Sequence, residues 1–166
     1  RRYRASRAYM LSADPMPLGQ PFAIGLHWGL LDTPFYDRRI PIDGLFERAQ
    51  PLRVAGVDVQ AMAPVDDFVY SCGHLGLHHG YDEALFRYFE LGSLVLRSGP
   101  DFDWQAVAAR AMAWRLVIPT CHVLRRLDGL WPGIVPSEAL TEILALQATR
   151  REQIIHKFVI QHLENR

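Results

Sequence analysis

From Pro64 onward apolar residues recur every three or four positions, the period of an amphipathic helix. Ahead of Met62 they fall instead into short runs of strand formers separated by proline and glycine. Residues 1–12 read as a helix, ended by Ala13–Gly19, where two prolines and a glycine cannot continue it. Pro21–Trp28 reads as a buried strand whose odd member is Gly25, since a glycine there packs nothing. Pro34, Pro41, Gly44 and Pro51 make the following stretch mostly connection, with a short helical turn at Ile42–Ala49. Val54–Met62 reads as two strand pieces hinged at Gly56, a hairpin.

The helical half is punctuated more cleanly. Asp66 and Asp67 place negative charge in the first turn of a helix running to about His79, where Gly80 closes it. A second helix spans Asp82 to about Arg97. A third starts after Asp101 or Asp103 as N-cap, running from Trp104 toward Ile118, with Pro119 kinking or splitting it. Cys121–Leu127, Ser137–Ala148 and Glu152–His162 complete a bundle. The fold class expected is α+β: a few N-terminal strands in residues 1–62, then a mainly helical bundle in residues 63–166.

Composition narrows the function classes. Eighteen basic residues balance eighteen acidic ones, so no whole-molecule field draws the chain to nucleic acid or an anionic membrane. The local exception is Arg1, Arg2, Arg4 and Arg7, interleaved with Tyr3 and Tyr9, a run that either touches phosphates or is a solvated face. Two cysteines, Cys72 and Cys121, lie in apolar stretches as buried free thiols do, which excludes a disulfide scaffold. No apolar run has the length of a membrane span and no signal peptide is visible, so a cytoplasmic location is expected. Arg1 stands where an initiator Met is expected, which points to an N-terminal truncation.

The most chemically loaded segment is Cys72–Tyr81. His74, His78 and His79 are three of the seven histidines, and the i, i+4 spacing puts His74 and His78 on one helix face, with Cys72 on another. They could share a metal ion, with Asp82, Glu83 or Glu90 brought near by the turn at Gly80, or they could be hydrogen-bonded structural residues inside a helix pair. His-Glu-x-x-His and paired Cys-x-x-Cys signatures are absent. Asp101-Phe102-Asp103 has the spacing of a metal-binding carboxylate pair, but it lies between helices and reads as capping. No nucleophile elbow and no glycine-rich phosphate loop occurs. Tyr81, Phe86, Tyr88, Phe89, Trp104 and Trp114 recur at helical spacing and read as core.

The order of Leu26-His27-Trp28, a strand pair, Pro64-Val65-Asp66-Asp67-Phe68, His79-Gly80-Tyr81 and Leu85-Phe86-Arg87-Tyr88-Phe89-Glu90 resembles the uncharacterised nucleotidyltransferase family over roughly residues 1–135. The resemblance implies a polymerase-beta-like fold, of which the strands here are the edge of the α/β core. It implies Mg²⁺ as cofactor, with an NTP and an acceptor of unknown identity as partners. Its glycine-rich turn and first two metal-binding aspartates fall upstream of Arg1. The third carboxylate is expected immediately before Leu-His-Trp, at Gly25, which has no ligand atom. The chain is therefore expected to be incomplete or inactive, with no catalytic residue and no metal ligand of its own. His27, Trp28, His74, His78, His79 and Glu90 are the expected substrate-groove or structural residues, His74 and His79 being the better-aligned pair. Two other classes remain: a non-catalytic helical module that binds a protein partner, and a small metal-binding protein built on the histidine cluster.

Overall fold

The computed structural model describes residues 8–12, 23–27, 29–81 and 85–165. Among the described residues an antiparallel strand pair, two α-helices, a second antiparallel strand pair and then six α-helices follow in chain order. The first hairpin pairs β1 (Ala8–Ser12) with β2 (Ala23–His27), Met10 lying opposite Gly25. The helix expected over residues 1–12 is thus corrected to a strand at Ala8–Ser12, and residues 1–7 lie outside the described residues. Local helical pattern yields there to a ladder with β2, a partner that a short window cannot see.

The second hairpin pairs β3 (Gln50–Val54) with β4 (Val57–Ala61). Its turn places Ala55 at φ 50° and Gly56 at φ 84°, so both central residues are left-handed, as a tight two-residue hairpin requires. The hinge at Gly56 was legible, but the first strand begins four residues earlier than expected, at Gln50, ahead of Pro51.

Between the hairpins lie the short α1 (Pro34–Asp37), which the sequence reading passed over as connection, and α2 (Ile42–Arg48). The bundle is built around α3 (Pro64–His79), against which pack α4 (Leu85–Ser98), α5 (Trp104–Trp114), α6 (Val117–Leu130) and α8 (Arg150–Glu164), with α7 (Ser137–Leu144) set against α5 and α6. Phe68, Val69, Cys72 and Leu75 of α3 are buried. Gly73 brings Leu116 so close that a Cβ would sit 3.0 Å from its methyl groups. Phe68, Phe102 and Trp104 form an edge-to-face trio with ring centroids 4.7 to 5.8 Å apart, which adds geometric specificity to the burial.

The caps explain the boundaries. Gly80, at φ 64°, ends α3 in the left-handed region, and its N–H reaches the Gly76 carbonyl. The Asp103 carboxylate accepts from the Ala106 N–H at 2.8 Å, so the Asp-Phe-Asp motif caps α5. The split expected at Pro119 falls instead at Arg115, which turns left-handed at φ 60°. Pro119 then sits in the first turn of α6, where its missing N–H costs nothing. The aromatic core is also corrected: Trp114 and Tyr88 are buried, but Phe86 and Phe89 are 50% and 62% exposed. α4 turns Tyr88, Leu91 and Val95 inward, which leaves those two rings on its outer face. Cys72 and Cys121 are buried free thiols, and among the described residues no helix is long and apolar enough to cross a membrane.

Candidate functional site in the α3–α4 groove

Residues spaced at three and four along α3 (Asp67, Tyr70, Ser71, His74) face a similarly spaced set along α4 (Arg87, Glu90, Leu94, Arg97) across a groove of about 380 Å³. His74 forms part of one wall and Glu90 part of the other. Arg97 and Leu94 also line a neighbouring, mainly apolar cavity of about 630 Å³ that reaches the N-terminal turn of α3.

Burial and the neighbouring imidazoles of His78 and His79 push His74 down to about 4, so its ring is neutral at physiological pH. That ring stacks on His78, centroids 4.4 Å apart and planes 17° from parallel, and lies 5.0 Å from His79. Tyr70 flanks it at 5.8 Å. Burial raises the Asp67 carboxyl, against which the Ser71 hydroxyl donates a 3.2 Å hydrogen bond. Across the groove, Arg87 and Glu90 approach to 3.4 Å. The site therefore offers two guanidiniums, a neutral imidazole, a phenol and two carboxylates around a partly apolar floor.

The histidines touch one another but open onto three different cavities. His74 lines the groove. His78 accepts from the Asp32 N–H at 3.4 Å and lines a cavity between the α1 approach and α8. His79 lines a third, beside Tyr81, His122 and His156. His27 belongs to β2, its backbone opposite Ala8, while Trp28 lies outside the described residues.

Sequence reasoning missed the buried carboxylate beside this groove. Asp66 is 1% exposed and lies 2.8 Å from Arg48 Nε and 3.0 Å from Arg110 Nη1. No short spacing announces it, because the partners come from α2 and α5. It also missed His122 and His156, isolated histidines that tertiary packing brings to Tyr81.

A magnesium ion needs convergent oxygen donors. Among the described residues no three His, Cys, Asp or Glu side chains come together to hold a metal, and Gly25 contributes no donor. The described residues do not fit the ion that the resemblance implies.

Strands ahead of a helical bundle are the arrangement expected of a nucleotidyltransferase-like protein. Residues 3–132 match the uncharacterised nucleotidyltransferase family, and the chain belongs to that family. The match takes in both hairpins and α1 to α6, while α7 and α8 lie beyond it. No curated protein and no solved structure matches the chain.

Proposed function

We propose that this chain is the substrate-facing helical part of a nucleotidyltransferase-like protein, that its α3–α4 groove receives the NTP, and that these residues alone do not transfer a nucleotide. The observation that carries the reading is the groove itself. Arg87 and Arg97 sit on one face of α4, suited to phosphate oxygens, opposite Tyr70 and neutral His74, which offer flat rings to a base. A volume of about 380 Å³ lies in the range of small-molecule sites. Gly25 supports the second half of the reading, because in-line transfer depends on carboxylates that clamp the metal ions around the phosphorus. An acceptor and a cytoplasmic location belong to this reading as well, while Mg²⁺ would have to be held by residues other than those described.

The test is equilibrium binding of each NTP to the full chain, with and without Mg²⁺, beside the Arg87→Ala/Arg97→Ala double variant. Loss of two charge-assisted contacts is expected to weaken binding by about a hundredfold. Equal affinity in the double variant removes the groove from the reading. Mg²⁺-dependent incorporation of labelled nucleotide by the 166-residue chain overturns the claim of inactivity.

One observation favours the second reading, a protein-interaction module. Leu85, Phe86, Phe89 and Leu96 of α4 are 50% to 70% exposed, and Phe89 and Leu96 border an apolar cavity of about 330 Å³ with Trp131 and Ile134. Sedimentation of the wild type against Phe89→Ser tests whether that surface drives association.

A further inference from the structure

The outer face of α4 carries Phe86, Phe89, Ser93 and Leu96 at intervals of three, four and three residues, the spacing by which one helix seats against another. The three apolar members are exposed, and Ser93 is half-buried. Gly92, next to Ser93, is packed so tightly against the loop after α6 that a Cβ there would lie 3.1 Å from Ile134 Cδ1. The middle of the face is therefore a notch with Phe89 before it and Leu96 after it. The apolar cavity of about 330 Å³ lies at that notch, and no charged residue among the described ones lines it.

Charge beside the stripe is ordered as well. Glu90 and Arg97 are exposed and seven residues apart, so they stand on one flank of α4 within about 20° of each other. Arg97 Nε donates to the Ser93 carbonyl at 3.3 Å, which holds its guanidinium near the notch. A second α4 laid antiparallel across a two-fold axis between Gly92 and Ser93 sets Phe89 of each copy against Leu96 of the other, with the two small residues at the closest approach. Antiparallel two-fold symmetry turns like flanks toward each other, so Glu90 of each copy falls about 3 Å along the axis from Arg97 of the other. A parallel pair turns these flanks apart. The stripe is thus complementary to itself in one orientation, in shape and in charge.

The area fits such a pair. Leu85, Phe86, Phe89 and Leu96 leave on the order of 500 Å² of apolar surface bare, toward the upper end of the largest patch on an ordinary monomer. Two such patches, with the flanking loop, come to about 1,200 Å² in total, the low end of specific interfaces and the size of a reversible one.

We propose that the occupant of this face is a second copy of the chain, docked antiparallel α4 to α4, each Phe89 seated over the cavity of the other copy and each Glu90 paired with Arg97 across the axis. The proposal rests on the reading of α4 as an interaction surface and names its partner.

The test is analytical ultracentrifugation of the full chain over a wide range of concentration, with four samples besides the wild type: Phe89→Ser, Glu90→Arg, Arg97→Glu, and an equal mixture of the last two. The wild type is expected to show a monomer–dimer equilibrium, which Phe89→Ser weakens at least about thirtyfold. Each charge reversal alone is expected to weaken the dimer about tenfold by setting like charges opposite each other. The mixture is expected to regain the wild-type affinity, because every introduced charge then meets its opposite. Both charged positions are exposed, and thermal melts check that the variants keep the fold. A wild type that stays monomeric overturns the proposal but leaves the surface to a partner of another kind. A dimer that Phe89→Ser does not weaken overturns the proposal and the interaction reading together. A dimer indifferent to both charge reversals, or one that the mixture fails to restore, overturns the antiparallel pairing.

Discussion

The Tyr81 ring sits where a side chain on Gly76 would have to go: a Cβ at position 76 would lie 2.6 Å from Cε1 and Cζ of the ring and 2.7 Å from its hydroxyl. Helix α3 therefore ends in two coupled exceptions, a glycine in a helix interior and an aromatic residue with positive φ five positions later. The first makes room for the second.

Gly76→Ala is accordingly expected to destabilise the protein by about 1–3 kcal/mol, although alanine is the better helix former, because the ring has to leave its place over α3. Urea unfolding measures the loss. In a Tyr81→Ala background the same substitution is expected to become neutral or stabilising. Equal penalties in both backgrounds would sink the coupling.

Glu152 is fully buried, and its carboxylate accepts from the Ile118 N–H at 3.1 Å, so α8 supplies the anionic cap that α6 lacks in its own sequence. Burial raises the carboxyl and the two backbone donors of α6 hold it down. Glu152→Ala leaves those donors orphaned and opens a cavity, so a loss of about 2–4 kcal/mol is expected. Glu152→Gln keeps an acceptor oxygen and is expected to lose less than half of that. Thermal melts of the two variants side by side decide it.

Much of the helical half was legible because its signals are local. Asp103 caps α5, Gly80 closes α3, and the apolar period marks the faces. β1 was not, since its strand identity rests on β2, and the exposed Phe86 and Phe89 were assigned to the core because periodicity gives a helix's faces without saying how many are covered. Of the candidate site, His74 and Glu90 do line one groove. The grouping of His74, His78 and His79 in sequence concealed that they front three cavities. Arg48, Arg110, His122 and His156 carried no signal, since only the fold brings them to their partners.

Acid is expected to weaken the fold through two of these imidazoles. His74 and His156 are both pushed from 6.5 down to about 4 by burial, so the folded protein binds their protons less readily than the unfolded chain. Their contribution is complete above pH 6.5 and is lost as the pH falls from there toward 4. The raised carboxyls of Asp67 and Glu152 act in the opposite sense, gaining stability as they protonate, but their shifts are smaller. Urea midpoints are expected to drop between about pH 7 and pH 5, and His156→Gln to flatten the slope. A midpoint that holds or rises on acidification contradicts the burial of these rings as neutral species.

The Asp66 carboxylate, 1% exposed, is the charge on which Arg48 and Arg110 converge, and it ties α2 and α5 to the first turn of α3. Being in that first turn, it also meets the positive end of the α3 dipole. Removing it leaves two guanidiniums close together in a partly desolvated setting, and burial already lowers Arg110. Asp66→Ala is therefore expected to cost about 3–5 kcal/mol, the scale for breaking a buried pair from one side. Arg48 is 36% exposed along its side chain, so Arg48→Met is expected to cost no more than about 1 kcal/mol while Arg110 remains. Replacing both arginines strands the carboxylate, and the double loss is expected to exceed the sum of the single ones. Denaturant unfolding of the two single variants and the double variant reads this directly, and strict additivity would show that the two arginines do not share the charge.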